Sequence, residues 1–180
     1  MRMPQAGHDP RRARDFEAFV AGAGGRLLHA ATLLTGERSG AAPAAERLLI
    51  GALARTYAGW DRLRGEDPYD RTRQELAARF ARTAWRHRRP RGGLLDRLPP
   101  QERLVLVLRL YEGVAEEQVA AALGLPVERV RALCRRAAAA MRSRPPARTG
   151  GAAPPPRGRA PRRTPARTAT GTQREVEGAA

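Results

Sequence analysis

Between Ala121 and Ala137 the chain reads AALGLPVERVRALCRRA. A short apolar run meets Gly124, then Pro126, then a segment that carries four arginines at helical spacing. Glycine readily takes the left-handed conformation that closes a helix, and proline is tolerated in the first turn of the next one. The stretch therefore predicts two helices joined by a tight turn: VAEEQVAAALG before the break and LPVERVRALCRRAAAAMRS after it. Upstream, LPPQERLVLVLRLYEG opens on proline and stops at Gly113, as a third helix would. The pattern is a helix-turn-helix.

In the second helix of that motif Val127, Val130, Cys134, Ala137 and Met141 recur at three and four residues, which makes them the expected buried stripe. Glu128, Arg129, Arg131, Ala132, Arg135 and Arg136 fall on the other face. The second helix of a helix-turn-helix lies in the DNA major groove with its N-terminal residues at the base edges. Arginine there grips phosphates or forms a bidentate contact with guanine. A solvated basic face is the competing explanation, and for a lone helix it would be preferred. The preceding short helix, the Gly124 turn and the Val127/Val130 packing favour the reader.

The rest of the chain is helical in texture as well. DFEAFVAGAGGRLLHAATLLTG predicts a helix with a break near Gly22 to Gly25. AAERLLIGALARTYAGWDRLRG places Leu49, Leu53 and Tyr57 four residues apart, with Leu48, Ala52 and Trp60 widening the stripe and Arg47, Arg55, Arg62 and Arg64 largely off it. DPYDRTRQELAARFARTAWRHRR predicts a third helix, with Pro68 in its first turn. No segment alternates convincingly as a strand, so the expected class is all-α. The expected organisation is a flexible N-terminus (1–13), a helical domain (14–90), a short linker (91–93), a helix-turn-helix domain (94–142) and a disordered Arg/Pro-rich tail (143–180).

The chain has 180 residues and a formal net charge of +16, with a pI near 11.7. Such a balance points to a polyanionic partner. All 34 basic residues are arginine. Chemistry that needs lysine is therefore excluded, including the phosphate-binding P-loop and the Schiff base. With one cysteine no intrachain disulfide is possible. The N-terminus lacks the apolar core of a signal peptide, and no apolar run reaches the roughly 18 residues of a membrane span. These features read as a cytoplasmic protein.

Residues 79–91, RFARTAWRHRRPR, hold six arginines, two aromatics and no acid. Interleaved cations and rings suit single-stranded nucleic acid. Phe80 is expected in the core, while Trp85 divides evenly between core and ligand. Cys134 sits on the apolar stripe and reads as a small buried hydrophobe. His8, His29 and His87 have no ligand spacing, so neither a metal nor another cofactor is expected. Glu116 and Glu117, adjacent near a helix N-terminus, are dipole partners and no catalytic pair. The chain is not expected to be an enzyme.

Two segments resemble the bacterial sigma factors of the extracytoplasmic-function group. LLTGERSGAAPAAERLLIGALARTYAGWDRLRGEDPYDRTRQELAARFARTAWRHRR is similar to the family's region two. LLDRLPPQERLVLVLRLYEGVAEEQVAAALGLPVERVRALCRRA is similar to region four and is the more specific of the two. The resemblance implies a dissociable specificity subunit with core RNA polymerase and promoter DNA as partners, an anti-sigma factor as a further one, and no membrane. It implies polymerase binding at Glu46, Leu48, Leu49 and Arg55, capture of a −10-type strand at Arg82, Trp85 and Arg86, and −35-type duplex reading at Arg129, Arg131, Ala132, Arg135 and Arg136.

The chain departs from the family pattern in three places, which marks it as divergent. AAERLLIG keeps only Glu46 of the acidic cluster, with Arg47 of opposite sign and Gly51 in mid-helix. Only HRRPRGG lies between Arg86 and Leu94, a span of roughly 25 Å when extended, whereas the promoter elements lie more than one DNA turn, roughly 34 Å, apart. Leu133 replaces a residue that is often polar, and Ala115 stands where Ser or Thr would cap the first helix of the motif. Two further readings follow. One is a sigma-derived DNA-binding regulator that no longer engages polymerase productively. The other is a protein-interaction module that sequesters an anti-sigma-type partner.

Overall fold

A computed structural model describes residues 10–143 except Arg64. Residues 1–9, the tail from 144 onward and Arg64 lie outside the described residues, and with them most of the expected flexible N-terminus and tail. The described chain is all-α: α1 (Pro10–Thr35), α2 (Pro43–Ala58), a 3-10 turn (Trp60–Arg62), α3 (Pro68–Thr83), a second 3-10 turn (Ala84–His87), α4 (Pro100–Leu106), α5 (Glu116–Leu123) and α6 (Val127–Arg142). α4 runs on as a π-helical turn, Val107–Tyr111. No strand occurs among the described residues, where Arg38 and Ala41 form an isolated bridge.

Helix α1 departs from expectation twice. It begins at Pro10, inside the stretch expected to be loose, and it passes through Gly22, Gly24 and Gly25 without a break. Glycine costs about 1 kcal/mol in a helix interior, but packing on both sides of the glycines outweighs that. On the N-terminal side Phe16 and Phe19 pack with Tyr57 and Trp60, ring centroids 4.8–6.0 Å apart. Arg12 pairs with Asp61 at 2.8 Å and lies over the Tyr57 ring, which fixes the first turns. On the C-terminal side Leu27, Ala30, Ala31 and Leu34 are buried. Each such leucine contributes about 1.5–3 kcal/mol.

α2 and α3 lie against α1 and each other. Leu48, Leu49 and Ala52 of α2 meet Leu76, Ala77 and Phe80 of α3 in the core, beside a buried Thr56–Thr72 hydroxyl contact of 3.0 Å. Asp67 caps α3 through the Tyr69 amide at 2.9 Å. Gly51 explains itself here. The Arg79 guanidinium crosses α2 at that point, and a Cβ on residue 51 would stand 2.3 Å from Arg79 Nε.

The segment between the two helical stretches is a built junction. The Gly93 amide donates to Gly36 O at 3.0 Å, and a Cβ on Gly93 would sit 2.2 Å from Glu37 O. Glu37 accepts from the Ala44 and Ala45 amides at the start of α2 and from Arg91 at 3.1 Å. Burial alone would raise the Glu37 pKa. The Ala45 and Ala44 amides, then Thr35 and Arg91, outweigh burial and hold it below the usual carboxylate range.

Beneath the junction lies Arg103, fully buried. Its guanidinium donates to five main-chain carbonyls: Leu34 at 2.7 Å, Leu98 at 2.9 Å, Leu95 and Asp96 at 3.1 Å, and His87 at 3.4 Å. One side chain thus joins the end of α1, the second 3-10 turn and the approach to α4. The π-turn adds a second tie. It brings Glu112 under α3, where Tyr69 donates to it at 2.8 Å and Arg26 stands 3.7 Å away.

Candidate nucleic-acid interface

Every boundary of the helix-turn-helix has a local cause. Gly113 and Gly124 take φ of 70° and 63°, the left-handed conformation, and end the π-turn and α5. The Leu125 amide returns to Ala120 O at 3.0 Å, which closes α5 while the chain turns. Pro126 precedes α6 in extended conformation, and its carbonyl receives the Val130 amide at 3.2 Å. Ala115 offers no side-chain cap to α5; the Gln118 amide oxygen reaches back to the Ala115 N–H at 3.4 Å.

α6 packs on α4 and α5 through Val130, Leu133 and Ala137, all at most 1% exposed. Val127, Cys134 and Met141 are half-buried and flank that stripe. Leu133, a departure from the family pattern in sequence, is a core residue. It lies three residues from Val130 and four from Ala137, which was the available signal. Burial pushes the Cys134 thiol pKa up, as for an inert hydrophobe.

The outer face of α6 divides the expected readers. Arg129 and Arg135 are exposed, with no ion-pair partner among the described residues. Arg131 is braced by Glu116 and Glu128, at 3.0 and 2.8 Å, and these acids raise its pKa, the Glu116 hydrogen bond foremost. Arg136 is braced by Glu102 at 3.0 Å. Ala132 is half-buried between them. Glu116 also stands 3.9 Å from Arg109, so it links α4, α5 and α6 electrostatically.

These bounds coincide with a known family. Residues 94–143 match the family model described as Sigma-70, region 4. A sigma-70 region 4 domain is present. Such a domain is a DNA-binding helix-turn-helix of transcription regulation and is not catalytic. No curated protein matches the chain. The family match does not extend to residues 10–93. No helix among the described residues is long and apolar enough to cross a membrane.

The other expected sites fall in two places. Trp85 is 63% exposed with the Arg86 guanidinium 4.9 Å from its ring centroid, and Arg82 is exposed nearby. Phe80 is fully buried and stacks on His87, which is buried too. On α2 the expected polymerase-binding residues divide between core and surface. Leu48 and Leu49 are 6% and 7% exposed and belong to the core, because they face α1 and α3. The outer face of α2 instead presents Glu46, Arg47, Ile50 and Arg55. Ile50, 64% exposed, was not singled out from the sequence. Its place one residue beyond Leu49 was the signal.

Proposed function

We propose that the chain is a divergent sigma factor of the extracytoplasmic-function group, a cytoplasmic promoter-recognition subunit and not an enzyme. The observation that carries this reading is the region 4 match over α4 to α6, with the arginine face of α6 turned outward. In this reading Arg129 and Arg135 reach base edges or phosphates of a −35-type duplex. Arg131 and Arg136, held by acids, position the helix and meet the backbone, and Ala132 leaves room for a base methyl or sugar. Trp85 stacks on a base of the opened −10-type strand, with Arg82 and Arg86 on its phosphates. Core polymerase meets α2 through Glu46, Ile50 and Arg55.

A second reading, a sigma-derived regulator that does not engage polymerase productively, is favoured by the junction. Residues 91–93 are tied to residues 36–38 by Arg91, Gly93 and the Arg38–Gly92 contact. A tether so held does not extend between two promoter elements unless those bonds break. Co-purification of the full chain with core RNA polymerase, followed by transcription from promoters enriched by the complex, separates the two. Promoter-dependent initiation supports the sigma reading. Sequence-specific duplex binding without polymerase association supports the regulator.

A further inference from the structure

At the start of α5, Glu116 faces arginines from two other elements. Its carboxylate stands 3.0 Å from Nη2 of Arg131 on α6 and 3.9 Å from Nη2 of Arg109 in the π-turn that continues α4. The Arg131 Nε donates to the same carboxylate at 3.1 Å, and Glu128 takes its Nη1 at 2.8 Å. All three nitrogens of one guanidinium are thus engaged with acids, whereas Arg129 and Arg135 on the same face have no ion-pair partner among the described residues. Arg109 offers Glu116 a second position. It donates to Val114 O, while its Nε is buried without a hydrogen-bond partner among the described residues. A carboxylate that leaves Arg131 therefore has another cation to turn to, and its charge is not left bare.

We infer that Glu116 is a positioning residue that holds Arg131 back, an internal counter-ion that competes with a DNA phosphate for the same guanidinium. Phosphate and carboxylate oxygens use the same N–H donors, so contact with one requires release of the other. Arg131 then adds to duplex binding only after its ion pair breaks, whereas Arg129 and Arg135 add to it directly. The inference rests on the duplex-reading role of α6 and gives Glu116 a part in it beyond that of a helix-dipole partner.

The test is fluorescence anisotropy of the full chain with a labelled mixed-sequence duplex, titrated at several salt concentrations. The parent is compared with E116Q, E116D and E117Q, and with R131A alone and combined with E116Q. Glu117 is exposed on the same helix and has no ion-pair partner among the described residues, so E117Q removes an equal charge without freeing Arg131. E116D keeps the charge but is a methylene too short for the contact, which preserves the comparison even if E116Q loosens α5. E116Q should tighten binding about two- to fivefold at low salt, the worth of one partly exposed ion pair. It should also steepen the log K–log salt slope by up to about 0.9 as Arg131 gains a phosphate. E116D should tighten binding too, and E117Q should leave it nearly unchanged. With R131A in place, E116Q should do no more than E117Q. Weaker binding in E116Q would mean that Glu116 aims Arg131 at DNA instead of holding it back. Equal effects of E116Q and E117Q, or an E116Q gain that survives R131A, would reduce Glu116 to its bare charge. Either result overturns the inference while the duplex reading stands. That reading is lost if R129A/R135A leaves duplex binding unchanged, and the inference is lost with it.

Discussion

Arg103 and Arg135 carry the same guanidinium, and the two regions that hold them use it in opposite ways. In the junction Arg103 is sealed from water, and its donors are met by five carbonyls from three stretches of chain. On α6 Arg135 is exposed and without an ion-pair partner among the described residues, and its neighbours Arg131 and Arg136 are turned toward acids. Positive charge is therefore no single signal in this molecule. It is a fastener where main chain converges on it, and an open charged face where nothing does.

The sharpest way to break that contrast is Arg103→Met. It leaves several carbonyls buried without donors, and each such group costs about 1–3 kcal/mol. The expected loss is about 3 kcal/mol or more by urea denaturation, a large share of a small domain's stability. A loss below about 1 kcal/mol would mean that the junction repacks freely. The counterpart is Arg129→Ala with Arg135→Ala. Stability should stay within about 0.5 kcal/mol, as for surface changes away from any network. Affinity for a specific duplex should fall by about 1–3 kcal/mol for each base contact removed. If stability drops and affinity does not, α6 is a packing helix and not a reader.

Acid gives a graded test of the junction alone. The His87 pKa lies below its ordinary 6.5, through burial first and then the charges of Arg91 and Arg103, with Glu37 opposing and Arg86 adding. The folded state therefore takes up this proton later than the unfolded chain. Its contribution is fully present above pH 6.5 and is lost as pH falls from there toward the folded value, by at most about 1.4 kcal/mol per pH unit. Glu37 acts in the same direction below its ordinary 4.5. His87→Phe keeps the stack on Phe80 and removes the proton, so the stability profile between pH 6.5 and 5 should flatten. A slope equal to that of the parent chain would place the titration elsewhere.

Much of the fold was legible in the sequence because its punctuation is local. Pro43, Pro68 and Pro100 open helices, and Gly113 and Gly124 end them. The arginines of α6 were legible for the same reason, since three- and four-residue spacing separates its faces. What escaped was set by partners far along the chain. The helix through Gly22 to Gly25 depends on α2 and its aromatic end, and packing there overrides propensity. Arg103 reads as a surface charge until Leu34 and His87 are brought to it. The ion pairs that occupy Arg131 and Arg136 join residues 15 and 34 positions apart. Leu48 and Leu49 lie on the apolar stripe of α2, and the spacing alone does not tell that α1 and α3 bury both.

The smallest expected effect concerns the first helix of the motif. α5 has eight residues and no side chain to cap its amides at Ala115, whose backbone is already extended as a cap residue requires. Serine at that position would accept from the amide three residues on, while Gln118 already reaches back to the residue 115 N–H at 3.4 Å and completes the reciprocal pair. Ala115→Ser should add about 0.5–1 kcal/mol by thermal or urea denaturation. Because α5 packs on α6, the gain should also slow amide exchange in α6, although no residue of the arginine face has changed. Exchange in α6 that stays unchanged, with α5 alone protected, would show that the two helices open independently. The arginine face would then owe its position to Glu116 and Glu102 more than to the turn at Gly124.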